Sequence, residues 1–427
     1  MIEDEASACA AANNVGAHVR GHLRRRNHAM QTPEAIACGH AAVYRDIAAR
    51  RSFNTSNEPN EEQTHDMRFL LKLLSYPYRM VVNIRHWMFD CGLLKSEKFS
   101  TPIICVGNIT VGGTGKTPTA EMIMAYMMQY RRVAFLSRGY GRRTKGYVEV
   151  TTESSYRDVG DEPLQVKLKF PDALVVVCEK RAYAIRRIEA EHPETELIIM
   201  DDGFQHRYVE PRINVVVIDS TRPFYMDHYL PYGSLRDKVD SLYRAHYFVV
   251  TKCPENMSLL DQRLWRKELH KIAYQKVYFT RIVPARAIPL FETPYGLEEG
   301  GEVVVMAGIG NPRPFISGAR EMYKVAATMT FSDHHVYSVG DINRIVECLK
   351  LHPKAMLLTT EKDAVKLRRS RRVPDYMRER LFYQPVKLAF LDGSDEDFLG
   401  TLKSDLEGKV HLGDMSIGAI RESDEQN

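Results

Sequence analysis

The chain has 427 residues, of which 44% are apolar and 27% charged, so it can bury a full core and is long enough for two domains. Its 59 basic and 55 acidic residues leave a net charge of +4, a balance too even to predict a nucleic-acid binder. The seven cysteines are scattered and form no C-x-x-C pair, which argues against a disulfide framework or a zinc site and is typical of a reducing compartment.

The first 66 residues contain few large apolar side chains and no sustained periodicity, so we expect a largely disordered N-terminal extension. The extension lacks the apolar core of a secretory signal, and its acidic residues Glu3, Asp4 and Glu5 are not typical of a transit peptide. Sequence of a different character begins at Met67, which is therefore a second candidate for the start of the protein.

An amphipathic helix is predicted over residues 67–90. One face is apolar, and the other carries polar residues three or four positions apart, namely Arg68, Lys72, Ser75, Arg79, Asn83, His86 and Asp90. Its basic residues interrupt the run of about 20 apolar residues that a membrane span needs. Two interpretations follow. One is a surface helix packed on its own domain, with Pro77 placed to kink it; the other is a helix lying in the membrane interface, for which Phe69 and Trp87 are typical.

A phosphate-binding loop is predicted within residues 101–117, T-P-I-I-C-V-G-N-I-T-V-G-G-T-G-K-T. The apolar run at 103–106 suits a buried strand, and the residues from Pro118 onward suit a helix. Between them lie Gly112, Gly113, Thr114, Gly115, Lys116 and Thr117. The glycines let backbone N–H groups approach an anion, Lys116 can reach the β- and γ-phosphates, and Thr117 can offer its hydroxyl to Mg²⁺.

This loop departs from the strict phosphate-loop pattern at one position. The pattern places a glycine five residues before Gly115, where this chain has Thr110, although Gly107 lies nearby at the strand end. The alternative interpretation is a plain glycine-rich turn between a strand and a helix. The G-K-T sequence directly after a strand favours the phosphate loop.

Apolar, β-rich runs recur after the loop and alternate with helix-compatible stretches. They lie at 133–136, 174–178, 197–200, 214–218 and 248–250. This alternation predicts an α/β fold with a mostly parallel sheet flanked by helices. Residues 283–301 are typical of a linker with some strand content near 287–291, and a second set of runs predicts a smaller α/β domain. That set lies at 303–306, 325–330, 355–358 and 386–391, before a polar tail at 407–427 that we expect to be frayed.

Two carboxylates follow the predicted strand at 197–200. Asp201 and Asp202 open the sequence D-D-G-F-Q-H, and carboxylates at the C-terminal end of a strand beside a phosphate loop are where such enzymes hold Mg²⁺. Adjacent carboxylates repel each other unless a cation or a donor lies with them. The alternative is a turn that uses D-D-G after a strand.

A candidate base and its partner occur at two distant positions. Asp161 lies in G-D-E-P before a helical pattern, where it is either a base for a substrate hydroxyl or an acidic residue that stabilises the helix N-terminus. His334 lies in F-S-D-H-H-V-Y, a crowded loop after a strand. A carboxylate–histidine pair is how a base is oriented, whereas metal ligation by His334 and His335 is the alternative.

Eight motifs, in this order, resemble those of the tetraacyldisaccharide 4′-kinases, the lipid A 4′-kinases of Gram-negative bacteria. They are V-G-N-I-T-V-G-G-T-G-K-T-P (106–118), S-R-G-Y-G-R (137–142), V-G-D-E-P (159–163), D-D-G-F-Q-H (201–206), L-P-Y-G-S-L-R-D (230–237), A-G-I-G-N-P (307–312), F-S-D-H-H (331–335) and T-E-K-D-A-V-K-L (360–367). The resemblance covers residues 67–391. It implies a P-loop kinase domain, a smaller α/β domain and an active site in the cleft between them.

The resemblance also implies a reaction, the ATP- and Mg²⁺-dependent phosphorylation of the 4′-hydroxyl of a tetraacylated glucosamine disaccharide 1-phosphate. Asp161 matches the base, His334 its partner, and Lys116 a residue that binds the phosphates. The matching cofactor positions are residues 112–117 with Tyr140, Gln205 and Arg236 for the nucleotide, and Thr117, Asp201 and Asp202 for the metal. Two features depart from the family: Asp237 stands where glutamate is expected, and residues 1–66 have no counterpart.

From the resemblance we expect a peripheral protein on the cytoplasmic face of the inner membrane, with the acylated disaccharide lipid and the membrane surface as partners and no nucleic acid. The expected organisation is an extension at 1–66, a membrane-associating helix at 67–95, a kinase domain at 96–282, a linker at 283–301, a smaller domain at 302–406 and a tail at 407–427.

A nucleotide-dependent switch or partitioning ATPase is the rival function. It accounts for the phosphate loop and for a membrane helix. It does not account for Asp161 and His334, because hydrolysis that drives association with a partner requires no base for a substrate hydroxyl. A non-enzymatic protein with a vestigial loop is disfavoured by the intact G-K-T and D-D-G sequences.

Overall fold

The computed structural model describes residues 61–269 and 272–408, with side chains from residue 67 onward. The predicted disorder of residues 1–60 and the predicted fraying after residue 408 lie outside the described residues. The chain divides into two units, Met1–Arg68 and Phe69–Asn427. The first enters the description only through the opening turns of one helix, and the contacts described below belong to the second.

The N-terminal helix α1 spans Glu61–Asp90, so it begins six residues earlier than predicted, and it continues through Pro77. Glutamate and glutamine at its start are good helix formers, which accounts for the earlier beginning. Its large apolar side chains are exposed: Phe69, Leu70, Leu73, Leu74, Met80, Val81, Ile84 and Trp87. The buried side chains, His86 and Phe89, lie near its C-terminal end. A surface helix whose apolar face packs on its own domain is therefore not what the structure has.

The described helices include none with the length and apolar content of a bilayer-crossing segment.

A nine-stranded sheet forms the larger part of the described structure. Its strands are β1 (Ile103–Gly107), β2 (Val133–Ser137), β3 (Val148–Glu149), β4 (Leu174–Val177), β5 (Leu197–Asp201), β6 (Ile213–Asp219), β7 (Tyr247–Thr251), β8 (Lys276–Pro284) and β14 (Val386–Phe390). Their order is β14-β8-β7-β6-β1-β5-β2-β4-β3, and all pairs are parallel except those made by β14 and β3 at the two edges. The predicted α/β fold class is confirmed.

Helices cover both faces of this sheet. They are α2 (Lys116–Met127), α3 (Tyr156–Val159), α4 (Asp161–Lys169), α5 (Arg181–Glu191), α6 (Leu259–Leu269) and α11 (Asp395–Leu406). In β1, Ile104 and Val106 pack in the core that contains α2, whereas Ile103 and Cys105 pack in the core that contains α5. Burial on both faces explains why β1 is a continuous apolar run and not an alternating one. We call this sheet with its helices the large lobe.

A five-stranded sheet forms the small lobe. Its strands are β9 (Ile288–Pro289), β10 (Glu302–Ala307), β11 (Lys324–Thr330), β12 (Met356–Thr360) and β13 (Leu381–Gln384), in the order β11-β10-β12-β13-β9. Only β9 is antiparallel. The helices of this lobe are α7 (Arg313–Met322), α8 (Val339–Leu351), α9 (Glu361–Arg368) and α10 (Asp375–Arg378).

The path of the chain between the lobes differs from the sequence analysis. The run at 386–391 was assigned to the smaller domain, but β14 pairs with β8 of the large lobe, and α11 then packs beside α2. Phe398 and Leu402 of α11 are fully buried in the large-lobe core. The predicted linker at 283–301 contains the end of β8 and the short strand β9. Strands β8 and β13 were not predicted, because K-V-Y-F-T-R-I-V-P and L-F-Y-Q mix polar and apolar residues.

Candidate active site

The predicted phosphate loop joins β1 to α2 at the C-terminal edge of the large sheet. Gly112 and Gly115 have φ values of +96° and +93°, a region that side chains with a Cβ rarely adopt. A Cβ on Gly115 would also lie 3.3 Å from the Thr251 side chain of β7. Helix α2 begins at Lys116, so its N-terminal N–H groups face the loop. Backbone donors and a helix N-terminus thus converge, as an anion site requires.

Two hydrogen bonds fix the loop from its buried side. Asn108 Nδ2 donates to Thr114 Oγ1 at 2.9 Å, and Thr251 Oγ1 donates to the Thr114 carbonyl at 2.6 Å. Gly107 is required for close packing and not, as the phosphate-loop pattern suggested, for the loop itself. A Cβ at this position would lie 2.5 Å from the Phe204 side chain. It lets the D-D-G-F-Q-H segment approach the end of β1.

The two adjacent carboxylates have different surroundings. Burial alone would raise the pKa of Asp202, but a hydrogen bond from Arg236 and the charge of Lys116, 3.7 Å away, outweigh it and hold that pKa well below its usual value. Asp201 is buried, and burial with the charges of Glu162 and Asp202 raises its pKa to about 7. Its Oδ1 atom has no hydrogen-bond partner among the described residues. Asp202 is thus neutralised by the protein, whereas Asp201 is not.

Asp161 and His334 meet across the two lobes. His334 Nδ1 lies 3.0 Å from Asp161 Oδ2, although the residues are 173 positions apart. Asp161 is the first residue of α4, and Gly160 before it approaches Gly139 closely enough that a Cβ would lie 3.2 Å from the Gly139 Cα. The S-R-G-Y-G-R segment therefore fixes the start of α4. Its Tyr140 ring lies against the His334 ring, with the centroids 5.3 Å apart and the planes tilted by 51°.

The electrostatics of this pair favour a carboxylate. Burial opposes the charge on Asp161, but the hydrogen bond with His334 and the charge of Lys362 lower its pKa below the usual value. The same hydrogen bond raises the pKa of His334, against the opposing effect of burial. Asp161 therefore stays ionised at neutral pH and can accept a proton from a hydroxyl.

Lys362, at the start of α9, is a site residue that the sequence analysis missed. Its Nζ donates to His334 Nε2 at 3.2 Å and to Glu162 at 3.3 Å, and lies 3.9 Å from Asp161. Because Nε2 accepts from lysine, the imidazole Nδ1 carries the hydrogen that is donated to Asp161. The only signal available was its place in T-E-K-D-A-V-K-L, a resemblance motif to which no role had been assigned.

His335 does not join His334 in a metal site. Its Nε2 lies 3.0 Å from Asp341, and its ring stacks on Phe331. Within residues 67–269 and 272–408, the group spaced for a metal is Glu149, Glu191 and His192, and no residue of the predicted site belongs to it. The structure gives no support to metal ligation by the two histidines.

Gln205, Arg236 and Asp237 form a network under the loop. Arg236 donates to Asn108 Oδ1 at 2.5 Å as well as to Asp202. Gln205 donates to the Asn108 carbonyl at 2.7 Å and to Asp237 at 3.3 Å. Asp237 is buried, and its other oxygen lies 2.5 Å from His86 Nε2 of α1. Asp237, which stands where the resemblance leads us to expect glutamate, is therefore bound by a histidine of the N-terminal helix.

A second polar cluster beside the loop was also missed. Asp219, at the end of β6, binds Lys252 at 2.7 Å and Arg222, and Arg222 donates to the Val111 carbonyl at 3.3 Å. Lys252 has a φ of +57°. The sequence offered only an aspartate after a strand as a signal for this cluster.

Comparisons with known proteins identify the family to which the chain is similar. The family model described as tetraacyldisaccharide-1-P 4′-kinase matches residues 67–407. Tetraacyldisaccharide 4′-kinase of Parabacteroides distasonis is 36% identical over 358 residues, covering 81% of this chain and 97% of that protein. The enzyme of the same name from Porphyromonas gingivalis strain W83 is 36% identical over 347 residues, covering 79% and 97%. The crystal structure of LpxK from Aquifex aeolicus in complex with ATP superposes with a TM-score of 0.63 at 26% identity, covering 80% of this chain and 99% of that one.

Proposed function

The chain belongs to the tetraacyldisaccharide-1-P 4′-kinase family, and from that premise we propose which of its residues carry out the reaction. Its activity is the ATP-dependent phosphorylation of the 4′-hydroxyl of a tetraacylated disaccharide 1-phosphate in lipid A biosynthesis. The observation that carries our assignment is the 3.0 Å hydrogen bond between Asp161 and His334. Glu162, next to Asp161, and Lys116 of the phosphate loop both act electrostatically on Asp201. A switch ATPase needs no such hydrogen-bonded pair.

We assign the triphosphate of ATP to residues 112–117. The loop amides and the N-terminus of α2 face the phosphates in this assignment, and Lys116 neutralises charge that develops on the γ-phosphoryl group. Arg236 holds Asp202 and Asn108 in place beneath the loop. Tyr140 and Gln205 complete the nucleotide side of the site, through contacts with His334 and Asn108 respectively.

Asp161 is the base in this proposal. The sugar oxygen attacks the γ-phosphorus, its proton passes to an Asp161 carboxylate oxygen, and the bond to the bridging oxygen breaks to release ADP. His334 orients the carboxylate through its Nδ1 hydrogen, and Lys362 fixes the histidine tautomer by donating to Nε2. Most of the rate enhancement comes from positioning and electrostatic stabilisation, since phosphoryl transfer leaves the protein little covalent chemistry to do.

We propose that Mg²⁺ is held by Asp201, Asp202 and Thr117. The orphaned, fully buried Oδ1 of Asp201 fits a hard cation, because an unneutralised buried carboxylate is costly and Mg²⁺ prefers oxygen ligands. Asp202 is already paired with Arg236 and Lys116, so of the two aspartates Asp201 would be the one to bind the ion directly. The ion would neutralise phosphate charge when bound.

We further propose that α1 docks the enzyme on the cytoplasmic face of the inner membrane, where the lipid substrate resides. The exposed apolar side chains of the helix, including Leu73 and Trp87, support this, and basic residues such as Lys72 and Arg79 suit an anionic surface. We keep the predicted kinase domain (96–282) and linker (283–301). We propose that the smaller domain, predicted at 302–406, ends before β14, because β14 and α11 belong to the large lobe.

The test is transfer of labelled phosphate from ATP to a tetraacylated disaccharide 1-phosphate in detergent, followed by separation of the bisphosphorylated lipid. We expect Asp161→Ala to lower kcat by about 10²- to 10⁴-fold while the Kd for ATP stays unchanged. Asp172→Ala, at an exposed position, is the matched control. Normal turnover by the Asp161→Ala variant would remove this residue from the mechanism.

A further inference from the structure

A pocket of about 370 Å³ lies between the two lobes, away from the phosphate loop. The large lobe lines it with residues 152–157 and with Leu164 and Leu168 of α4, and the small lobe lines it with Val365 of α9 and residues 368–372. Its volume lies within the range of small-molecule sites. None of the residues that we assign to catalysis, nucleotide or metal lines this pocket.

The pocket is lined mainly by cations. Its basic residues are Arg157, Lys366, Arg368, Arg369, Arg371 and Arg372, against the single acidic residue Glu153. Lys366 is neutralised by Asp363 at 3.0 Å, and Arg369 by Glu153 at 2.7 Å. The other four arginines form no ion pair with the described residues, although Asp158 acts electrostatically on Arg157.

The contacts of these four arginines leave their charge available. Arg157 donates to the Tyr156 hydroxyl and Arg372 to the Tyr337 carbonyl, both neutral acceptors. The side chains of Arg368 and Arg371 make neither a hydrogen bond nor an ion pair with the residues that the structure describes, and Arg368 acts electrostatically only on the neutral Tyr383. Like charges around one concavity repel each other and concentrate anions from solution.

The floor of the pocket is apolar. Leu164 and Val365 are buried, and Leu168 is half-buried. Arg368, Arg371 and Arg372 are themselves exposed, so their guanidinium groups are accessible to a ligand. An arginine fork matches the oxygens of a phosphate group, and aliphatic side chains beneath it suit a hydrocarbon chain. We propose that this pocket is a second anion site of the enzyme, separate from the nucleotide site, which takes a phosphate monoester carried on an apolar body.

The helices that form the pocket also carry two of the active-site residues, Asp161 and Lys362. Leu164 lies one turn after Asp161 in α4, and Val365 lies one turn after Lys362 in α9. A molecule in the pocket therefore contacts both helices at their crossing. The binding itself does not depend on the proposed mechanism, so it is tested apart from activity.

The probe is dihexanoyl phosphatidic acid below its micelle concentration, titrated calorimetrically into the full chain while a non-hydrolysable ATP analogue with Mg²⁺ saturates the nucleotide site. We expect one site, and we expect Arg368→Gln/Arg371→Gln to weaken binding by about tenfold or more, because charge-assisted hydrogen bonds are lost. Arg320→Gln/Lys350→Gln, at exposed cations of α7 and α8 outside the pocket, should leave the Kd unchanged. Equal thermal unfolding midpoints for the two double variants would exclude a folding defect.

Two further probes identify the source of the phosphate. Glycerol 3-phosphate binding as tightly as the lipid, and lost in the same variant, would support the anion site and make soluble phosphate esters its ligands. Weaker binding of glycerol 3-phosphate would support a lipid phosphate. The proposal is overturned if neither probe binds, if both double variants bind alike, or if uncharged dihexanoylglycerol binds as well as the acid.

Discussion

Three non-glycine residues within 61–269 and 272–408 have a positive φ, and all three lie around the proposed site: Asp202 at +50°, Lys252 at +57° and His334 at +55°. A residue with a Cβ pays about 1–2 kcal/mol for this conformation. Each of these side chains is held by an ion pair or hydrogen bond, as Asp202 is by Arg236 and His334 by Asp161. The strained backbone directs these groups into the site, and the polar contacts hold it there.

The titration of His334 should govern the acidic limb of the rate profile. Its pKa is raised above the ordinary value of 6.5, so the imidazolium persists to higher pH, and its Nε2 can accept from Lys362 only when the ring is neutral. We therefore expect kcat to rise with pH through a pKa above 6.5. The lowered pKa of Asp161 puts its own titration well below that limb.

His334→Asn should move this limb to lower pH and reduce kcat by roughly tenfold or more, since the base loses its orienting partner. The control is His335→Asn, because His335 binds Asp341 and does not contact Asp161. Measurements of kcat from pH 5 to 9 decide the matter. An unchanged limb in His334→Asn would refute this assignment.

The carboxylate of Asp201, one oxygen of which has no hydrogen-bond partner among the described residues, leads to a prediction about the stability of the folded protein. The pKa of Asp201 is raised to about 7 in the folded state. Its contribution to the free energy of unfolding is therefore fully present below the pKa of the unfolded chain, near 3.8, and is lost as pH rises toward 7. Asp201→Asn should therefore raise the Tm of the metal-free protein at pH 8 and leave it unchanged near pH 4. We also expect Mg²⁺ added with ADP to raise the Tm of the natural chain by more than ADP alone, and Asp201→Asn to abolish this additional rise.

Asp202→Asn is the matched control for Asp201→Asn. It breaks the ion pairs with Arg236 and Lys116, so at pH 8 the metal-free Tm should fall. If both variants shift Tm in the same direction, the division of roles between the two aspartates is wrong.

At the scale of elements, α1 has the opposite orientation to an ordinary surface helix, because its apolar face is turned away from the protein. Its apolar side chains are exposed, while its polar side reaches the protein: Arg85 donates to the Gln205 carbonyl at 2.8 Å, and His86 binds Asp237. Tyr78 donates to the Arg236 carbonyl at 3.1 Å. The helix is therefore joined by hydrogen bonds to the segments that carry Gln205 and Arg236, and its apolar face is left for another partner.

Substitution on this apolar face should reduce membrane binding. We expect Leu73→Asn/Ile84→Asn to weaken sedimentation with anionic phospholipid vesicles by about tenfold for each residue, because burial of one such side chain contributes about 1.5 kcal/mol or more. The control is Val336→Asn/Leu351→Asn, which removes exposed apolar residues from the small lobe. Affinity for ATP should be unchanged in both, and equal vesicle binding by the two double variants would contradict docking through α1.

At the scale of the whole molecule, the site depends on the two lobes being together. Lys362 of the small lobe contacts Glu162 of the large lobe, and His334 of the small lobe contacts Asp161 of the large lobe. The base and its orienting groups thus come from different sheets. Opening of the cleft would separate them, so closure and correct protonation are linked.

Substitution of Lys362 should test whether catalysis depends on the contact between the two lobes. We expect Lys362→Met to lower kcat by about 10- to 100-fold with little change in KM for ATP, since the phosphate loop is untouched and only the base loses its orientation. Lys362→Arg should recover part of the rate, because the cation and donors remain. Lys354→Met, at an exposed position in the small lobe, is the control. A large rise in KM for ATP would place Lys362 at the nucleotide instead.

Strands that show as local apolar runs could be predicted from the sequence. Contacts between residues far apart in the chain could not. The buried runs at β1, β5 and β6 are continuous and apolar, so they were visible without a structure. The contact between His86 and Asp237 joins residues 151 positions apart and has no periodic signal, so it was not predicted. The resemblance supplied Asp161 and His334 but not Lys362, because a lysine in a charged helix has no distinguishing spacing.

The antiparallel pair of β8 and β14 makes the small lobe an insertion in the large one. Pro284 and Val386 are register partners, so the chain leaves and re-enters the large sheet at adjacent points. Cutting the gene after residue 282 would strip away β14 and α11 and leave an unpaired sheet edge and an uncovered core. A shortened protein that keeps its hairpin closed by a tight turn between these two residues is the better route to an isolated nucleotide-binding half.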